Sequence, residues 1–209
     1  MENTAKLFLY ILPIALCADI IIPLLLGPFY KGYSQLYQVM SVLGNHHFIL
    51  HRIYNTWLVI LGLILIAGSV QLYNLIVSVS MPMAIALMII LILYAVGGCI
   101  LSGLFSVGED KSLETLPAKI HGIGSAIGFM ILTLAGLTVS VYFHKINALA
   151  WMCAGAISFL CSVIFFVLFI MADKPAYADS ILSLEGLWQR LSLVFMYVPI
   201  ILLCFYLLW

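Results

Sequence analysis

Six long apolar stretches constrain this chain more than any other feature. They fall at about residues 7–27, 54–76, 80–105, 120–142, 149–172 and 187–209. Each comes close to or exceeds the roughly 20 apolar residues that an α-helix needs to cross a hydrocarbon core. Composition points the same way. Only 8% of the residues are charged and 66% are hydrophobic, whereas soluble domains carry about 25% charged residues. A surface so poor in charge does not stay dispersed in water. The expected architecture is all-α: an integral membrane bundle of six transmembrane helices, forming one domain over residues 1–209 without internal repeats.

The connections order these helices. Two links are tight, one in "NLIVSVSMP" and one in "FHKIN", and tight links make antiparallel neighbours. The connections 28–53, 106–119 and 173–186 are longer, and six spans bring all three to the same side. Tyr54, Trp57, Tyr73, Tyr142, Trp151, Trp188 and Trp209 fall where the interfaces belong. The long-connection side holds Lys31, Arg52, Lys111, Lys119, Lys174 and Arg190, against Lys6 and Lys145 on the other. A positive-inside count then puts the long connections in the cytoplasm, but acidic residues accompany those cations and orientation stays open. The apolar N-terminal run has no small-residue cleavage site and reads as a retained helix. Cys17, Cys99, Cys153, Cys161 and Cys204 lie singly in apolar segments and read as small hydrophobes. Zero net charge without a Lys/Arg cluster argues against a nucleic-acid partner.

In the first connection, "SQLYQVMSVLG" places Leu36, Tyr37, Met40 and Leu43 at helical spacing, with Gly44 able to close a helix. A short amphipathic helix at the interface is expected here, with Ser34, Gln38 and Ser41 on its polar face.

The charge is gathered in "LFSVGEDKSLETLPAKIHGIGSAIGFM", residues 104–130, which contains Glu109, Asp110 and Lys111. Those groups are costly in hydrocarbon, so 106–119 is a surface loop, and Pro117 suits the first turn of the helix after it. In that helix His121, Gly124, Ser125 and Gly128 share one face. Small residues on a face let a neighbouring helix approach closely, with the histidine at the wet end. A polar pocket on the long-connection side would draw on Ser41, Asn45, Arg52, Asn55, Asp110 and His121, with Asp19 below. Asp19 is the one acidic residue deep in a span, between Pro13 and Pro23. It is either a hydrogen-bonded structural group or a proton or headgroup contact. Arg52, Lys119 and Arg190 fall at one depth, which suits either interface anchoring or a phospholipid phosphate.

Two catalytic constellations can be drawn from the same residues. His47 and His51 lie four apart and, with His121, Glu109 and Asp110, offer a nitrogen–oxygen metal site of the zinc type. No H-E-x-x-H signature accompanies them. Ser41, His121 and Asp110 have the residue types of a hydrolytic triad, without a nucleophile elbow. Haem is not expected, since His121 and His144 sit at opposite ends of one span. No cofactor is expected overall, with zinc as the alternative.

Four blocks in order resemble a bacterial and archaeal family, the domain of unknown function 998: "YSQLYQVMSVLG", "IYNTWLVILGL", "GGCILSGLFSVGED…AKIHGIGSAIGFM" and "GLWQRLSLVFMY". The resemblance implies a six-helix protein of a prokaryotic cytoplasmic membrane and no activity. Its motif positions map to Ser41, Gly44, Asn55, Asp110 and His121. Ser106-Val107-Gly108 replaces the family's aromatic-proline approach to the acidic residue. The family is in turn distantly similar to the DRAM and Frag-type membrane proteins, an analogy of fold. The leading expectation is a protein that binds or handles a lipid or other amphiphile. The alternatives are an intramembrane lipid hydrolase or transferase, metal-dependent or not, and a small transporter or partner subunit. Membrane lipids are the expected partners, with a second membrane protein or a further copy of the chain as alternatives.

Overall fold

The structure is a computed structural model that describes residues 2–105 and 114–209. Helices are the only regular secondary structure among the described residues, and six of them are long and apolar enough to cross a membrane. They are α1 (Glu2–Leu26), α2 (His51–Ile76), α3 (Met81–Leu104), α4 (Leu116–Lys145), α5 (Leu149–Ala172) and α6 (Glu185–Leu208). The protein is a multi-pass membrane protein.

Start and stop signals act where the chemistry places them. Pro82 and Pro117 stand in the first turns of α3 and α4, where a missing N–H costs nothing. Thr115 caps α4 by accepting from Ala118 N at 3.3 Å. In the tight turn between α4 and α5, Asn147 takes a left-handed conformation (φ 57°), which asparagine tolerates better than bulkier side chains.

α1 lies against α2 and α6, α2 against α3, and α5 against α6. α3 and α4 meet through glycine. α3 widens into a π-helical turn at Ala95–Ile100, which contains Gly97 and Gly98. A Cβ on Gly97 would collide with the carbonyl oxygen of Gly124, and one on Gly128 would stand 2.7 Å from Gly98 N. The small face of α4 is therefore the α3 contact, as its spacing suggests. α5 makes the same use of small residues from the other side. Gly155, Ser158 and Ser162 face inward, while Ile157, Leu160 and Ile164 are exposed, the outward face of a lipid-bathed helix.

α4 is in two parts. Thr133 interrupts it, its hydroxyl donating to Met130 O at 2.6 Å. The second part, Leu134–Lys145, packs on α3, α5 and α6, whereas the first part, Leu116–Leu132, is held mainly against α3. α4 and α5 therefore diverge toward the long connections. This divergence shapes the site.

The first connection differs from the expected amphipathic helix. A short helix does follow the first span, but it is the 3-10 segment Met40–Gly44, and it is turned inward. Met40, Val42 and Leu43 are buried, while Leu36 and Tyr37 are exposed. The physical reason is α6. Met40 N donates to Gln189 Oε1 at 2.7 Å, and Leu187 N donates to Leu36 O at 3.0 Å. Backbone groups spent on α6 are not available to an α-helix of their own.

Candidate functional site

Arg190 organises the roof of the site. It is buried and does not reach outward as a cation at a helix end can. Nη1 donates to Gln35 O at 2.7 Å, Gln38 O at 3.2 Å and Gly186 O at 2.8 Å. Nη2 donates to Tyr33 Oη at 2.6 Å and to Gln35 Oε1. Burial raises the Tyr33 phenol above its ordinary value, and the neighbouring guanidinium opposes that rise. The phenol stays protonated and donates to Val39 O at 3.2 Å. Gln35 continues the chain, its Nε2 donating to Pro23 O at 3.0 Å near the end of α1. One guanidinium thus ties the first connection, α1 and α6 together. Nη1 and Nη2 are spent on these protein oxygens, the buried Nε is left without a partner among the described residues, and the arginine acts as a structural tie inside the roof.

Beneath this roof is a cavity of about 310 Å³, near the lower end of the size range of small-molecule sites. α4 contributes His121, Ser125, Ala126, Phe129 and Met130, and α5 contributes Phe166, Phe169 and Ile170. α6 supplies Glu185, Gln189 and Leu193; α3 supplies Tyr94, Gly98 and Ser102. Asp19, Tyr54 and Leu58 come from α1 and α2, and Met40 and Ser41 from the roof. Phe129 and Phe169 approach to 6.4 Å between ring centroids and narrow the gap between α4 and α5 on the inner side. Met130 and Ile170 line the cavity and are each about half exposed, so they mark a mouth between α4 and α5 toward the lipid.

Asp19 is the deeper of the two carboxylates in the lining. It lies seven residues from the end of α1, about 10 Å along the helix axis at 1.5 Å per residue. Oδ1 accepts from Trp57 Nε1 at 3.1 Å and Oδ2 from Tyr197 Oη at 2.7 Å. Tyr197 is in turn hydrogen-bonded to Tyr94. Asp19 is 1% exposed, and these partners lessen the cost of burying it.

His121 is also buried, with Nδ1 2.8 Å from Phe105 O. A carbonyl only accepts, so Nδ1 carries the proton and Nε2 keeps a lone pair in the neutral ring. The bond ties the start of α4 to the end of α3. Beside it, Ser102 and Ser125 share a hydrogen bond of 2.8 Å.

The structure brings three of the sequence candidates, Asp19, Ser41 and His121, to this one cavity. Arg52, Asn45 and Asn55 stand elsewhere. Arg52 is exposed. Asn45 is buried and its Oδ1 accepts from His47 N at 2.9 Å, bracing a turn. Asn55 donates to Gly44 O at 3.1 Å and pins the 3-10 segment to α2. Asp110, with Glu109 and Lys111, lies outside the described residues.

Among the described residues the zinc constellation does not assemble. His47 is in a turn before α2 begins, so it shares no helical face with His51. His51 turns its Nδ1 to Phe48 O at 2.6 Å and packs edge-on against His46. Among the described residues no three His, Cys, Asp or Glu side chains converge as a metal site.

Tyr54, Tyr94, Ser102, Glu185 and Gln189 also line the cavity and were not among the sequence candidates. Gln189 stands next to Arg190 in a block already singled out. Its partner in the roof is some 150 residues away, and one sequence carries no signal for such a pair. All four blocks that carry the family resemblance meet at the site: the roof lies on the start of α6, the glycines of α3 meet those of α4 within the third block, and the α2 block supplies Tyr54 and Leu58 to the lining.

No curated protein and no solved structure matches the chain, and the likeness to DRAM and Frag-type proteins is not confirmed. Residues 13–206 match the family described as "Protein of unknown function (DUF998)", and the chain belongs to it.

Proposed function

We propose that this DUF998 member binds a single amphiphile in the cavity between α4 and α5, as a lipid-handling protein of a prokaryotic cytoplasmic membrane. The polar end of the ligand sits among Asp19, Ser41, His121 and Gln189, and its apolar part leaves past Met130 and Ile170 into the bilayer. The divergence of α4 from α5 carries this reading, because it gives a mostly apolar cavity an exit at hydrocarbon depth with its polar groups gathered inside. A pocket apolar over most of its surface, with a few convergent polar groups, is how small-molecule sites fix orientation.

A hydrolase or transferase finds less support. Ser41 and His121 share the cavity, but the third member of that triad, Asp110, lies outside the described residues, and Nδ1 of His121 donates to Phe105 O, not to a carboxylate.

Ala126→Trp tests the proposal. Ala126 is exposed and lines the cavity, so an indole there fills the mouth without displacing a packed side chain. In native mass spectra from a mild detergent, the wild type is expected to carry one co-purified amphiphile, and Ala126→Trp to lose most of it at an unchanged thermal transition. Equal retention by the two proteins would reject the site.

A further inference from the structure

The lining has a sign. Two carboxylates, Asp19 and Glu185, face the cavity, and no Lys or Arg lines it among the described residues. Arg190 is held by backbone carbonyls in the roof and is absent from the lining. An anionic headgroup would enter against Asp19, whose partners Trp57 and Tyr197 are neutral donors, and would meet no Lys or Arg among the described lining residues. A cation entering the same space encounters Asp19 at the inner end, with Tyr54, Tyr94 and Phe129 also on the walls. Aromatic faces attract alkylated ammonium groups, most strongly where water is excluded. The gain is also mutual. A buried carboxylate without a counter-charge is costly, and an ammonium brought beside it makes a pair.

We infer that the amphiphile taken by this cavity is cationic: a primary or alkylated ammonium attached to apolar groups, seated against Asp19 and walled by Tyr54, Tyr94 and Phe129. The inference rests on the amphiphile reading above and gives it a ligand class. A membrane lipid with an amine headgroup and a soluble cationic amphiphile share this chemistry.

The test uses three probes with one hydrocarbon chain: tetradecyltrimethylammonium, tetradecanol and tetradecanoate. Each is titrated into the wild type, Asp19→Asn and Glu185→Gln in uncharged maltoside micelles, with bound probe read by native mass spectrometry. The wild type is expected to hold the cation about tenfold more tightly than the alcohol, the scale of one desolvated cation–π and charge contact. Tetradecanoate is expected to bind more weakly than either. Asp19→Asn keeps the alcohol and loses the preference, and Glu185→Gln weakens it.

Equal binding of all three probes by the wild type, or a preference for tetradecanoate, would overturn the cationic class and leave the amphiphile site standing. Binding of none of them would remove the site itself. A preference that persists undiminished in Asp19→Asn would overturn the role given to that carboxylate. Should Asp19→Asn fail to fold, the order of the three probes on the wild type still decides the class. Displacement by a double-chain dialkyldimethylammonium lipid, cationic and without phosphate, assigns the source to the bilayer. Cation binding that this lipid does not displace assigns it to soluble cationic amphiphiles.

Discussion

Arg190→Ala is expected to cost about 3–5 kcal/mol of stability, comparable to breaking a buried charged contact. The substitution removes the Nη1 that serves Gln35 O, Gln38 O and Gly186 O and the Nη2 that serves Tyr33 Oη and Gln35 Oε1, and leaves those oxygens without that donor. The loss reaches beyond one helix end, because Gln35 also holds the end of α1. A chain of this length shifts its melting temperature by about 2–4 °C per kcal/mol, so the thermal transition in detergent should fall by roughly 10 °C. Arg190→Lys should recover only part of that, since an ammonium is a single point of donation where the guanidinium is a fork. Full stability in Arg190→Ala, accompanied by loss of bound amphiphile, would instead make the arginine a ligand contact and contradict the roof as described.

Gly97→Val is expected to be nearly as damaging and for a different reason. Any Cβ at position 97 meets the backbone of Gly124, which cannot rotate away as a flexible side chain does. The π-helical turn of α3 and the start of α4 must separate, at the upper end of the cost of overpacking, about 3 kcal/mol. The same separation moves Ser102 from Ser125 and Phe105 O from His121. Gly97→Val should therefore lower the thermal transition and reduce amphiphile retention together. Ile123→Ala is the control on the same helix: its side chain is 57% exposed, and trimming it should change neither quantity appreciably. Wild-type stability in Gly97→Val would mean that α3 and α4 do not touch there.

The parts of this fold legible in the sequence are those set by short-range physics. Run length and apolarity give six helices, because a helix in hydrocarbon satisfies its own backbone. The face of His121, Gly124, Ser125 and Gly128 follows from helical period, and its use as a packing surface from residue size. Asp19 stands out because a carboxylate is rare at that depth. Arg190 was not legible in the same way. A cation one turn into an interfacial helix has the same local pattern whether it reaches out to phosphate or in to carbonyls, and the choice depends on a loop some 150 residues away. Helical spacing from Leu36 to Leu43 was overridden for the same reason, since Met40 N and Leu36 O are engaged by α6. The cavity depends on the angle between α4 and α5 above Thr133, which no periodicity encodes.

The most direct test of the central claim is an experimental density map of the protein in a lipid nanodisc. One elongated density is expected to enter between Met130 and Ile170 and end with its polar group against Asp19. A gap between α4 and α5 that is closed, or a cavity containing only discrete water density, would contradict an amphiphile site.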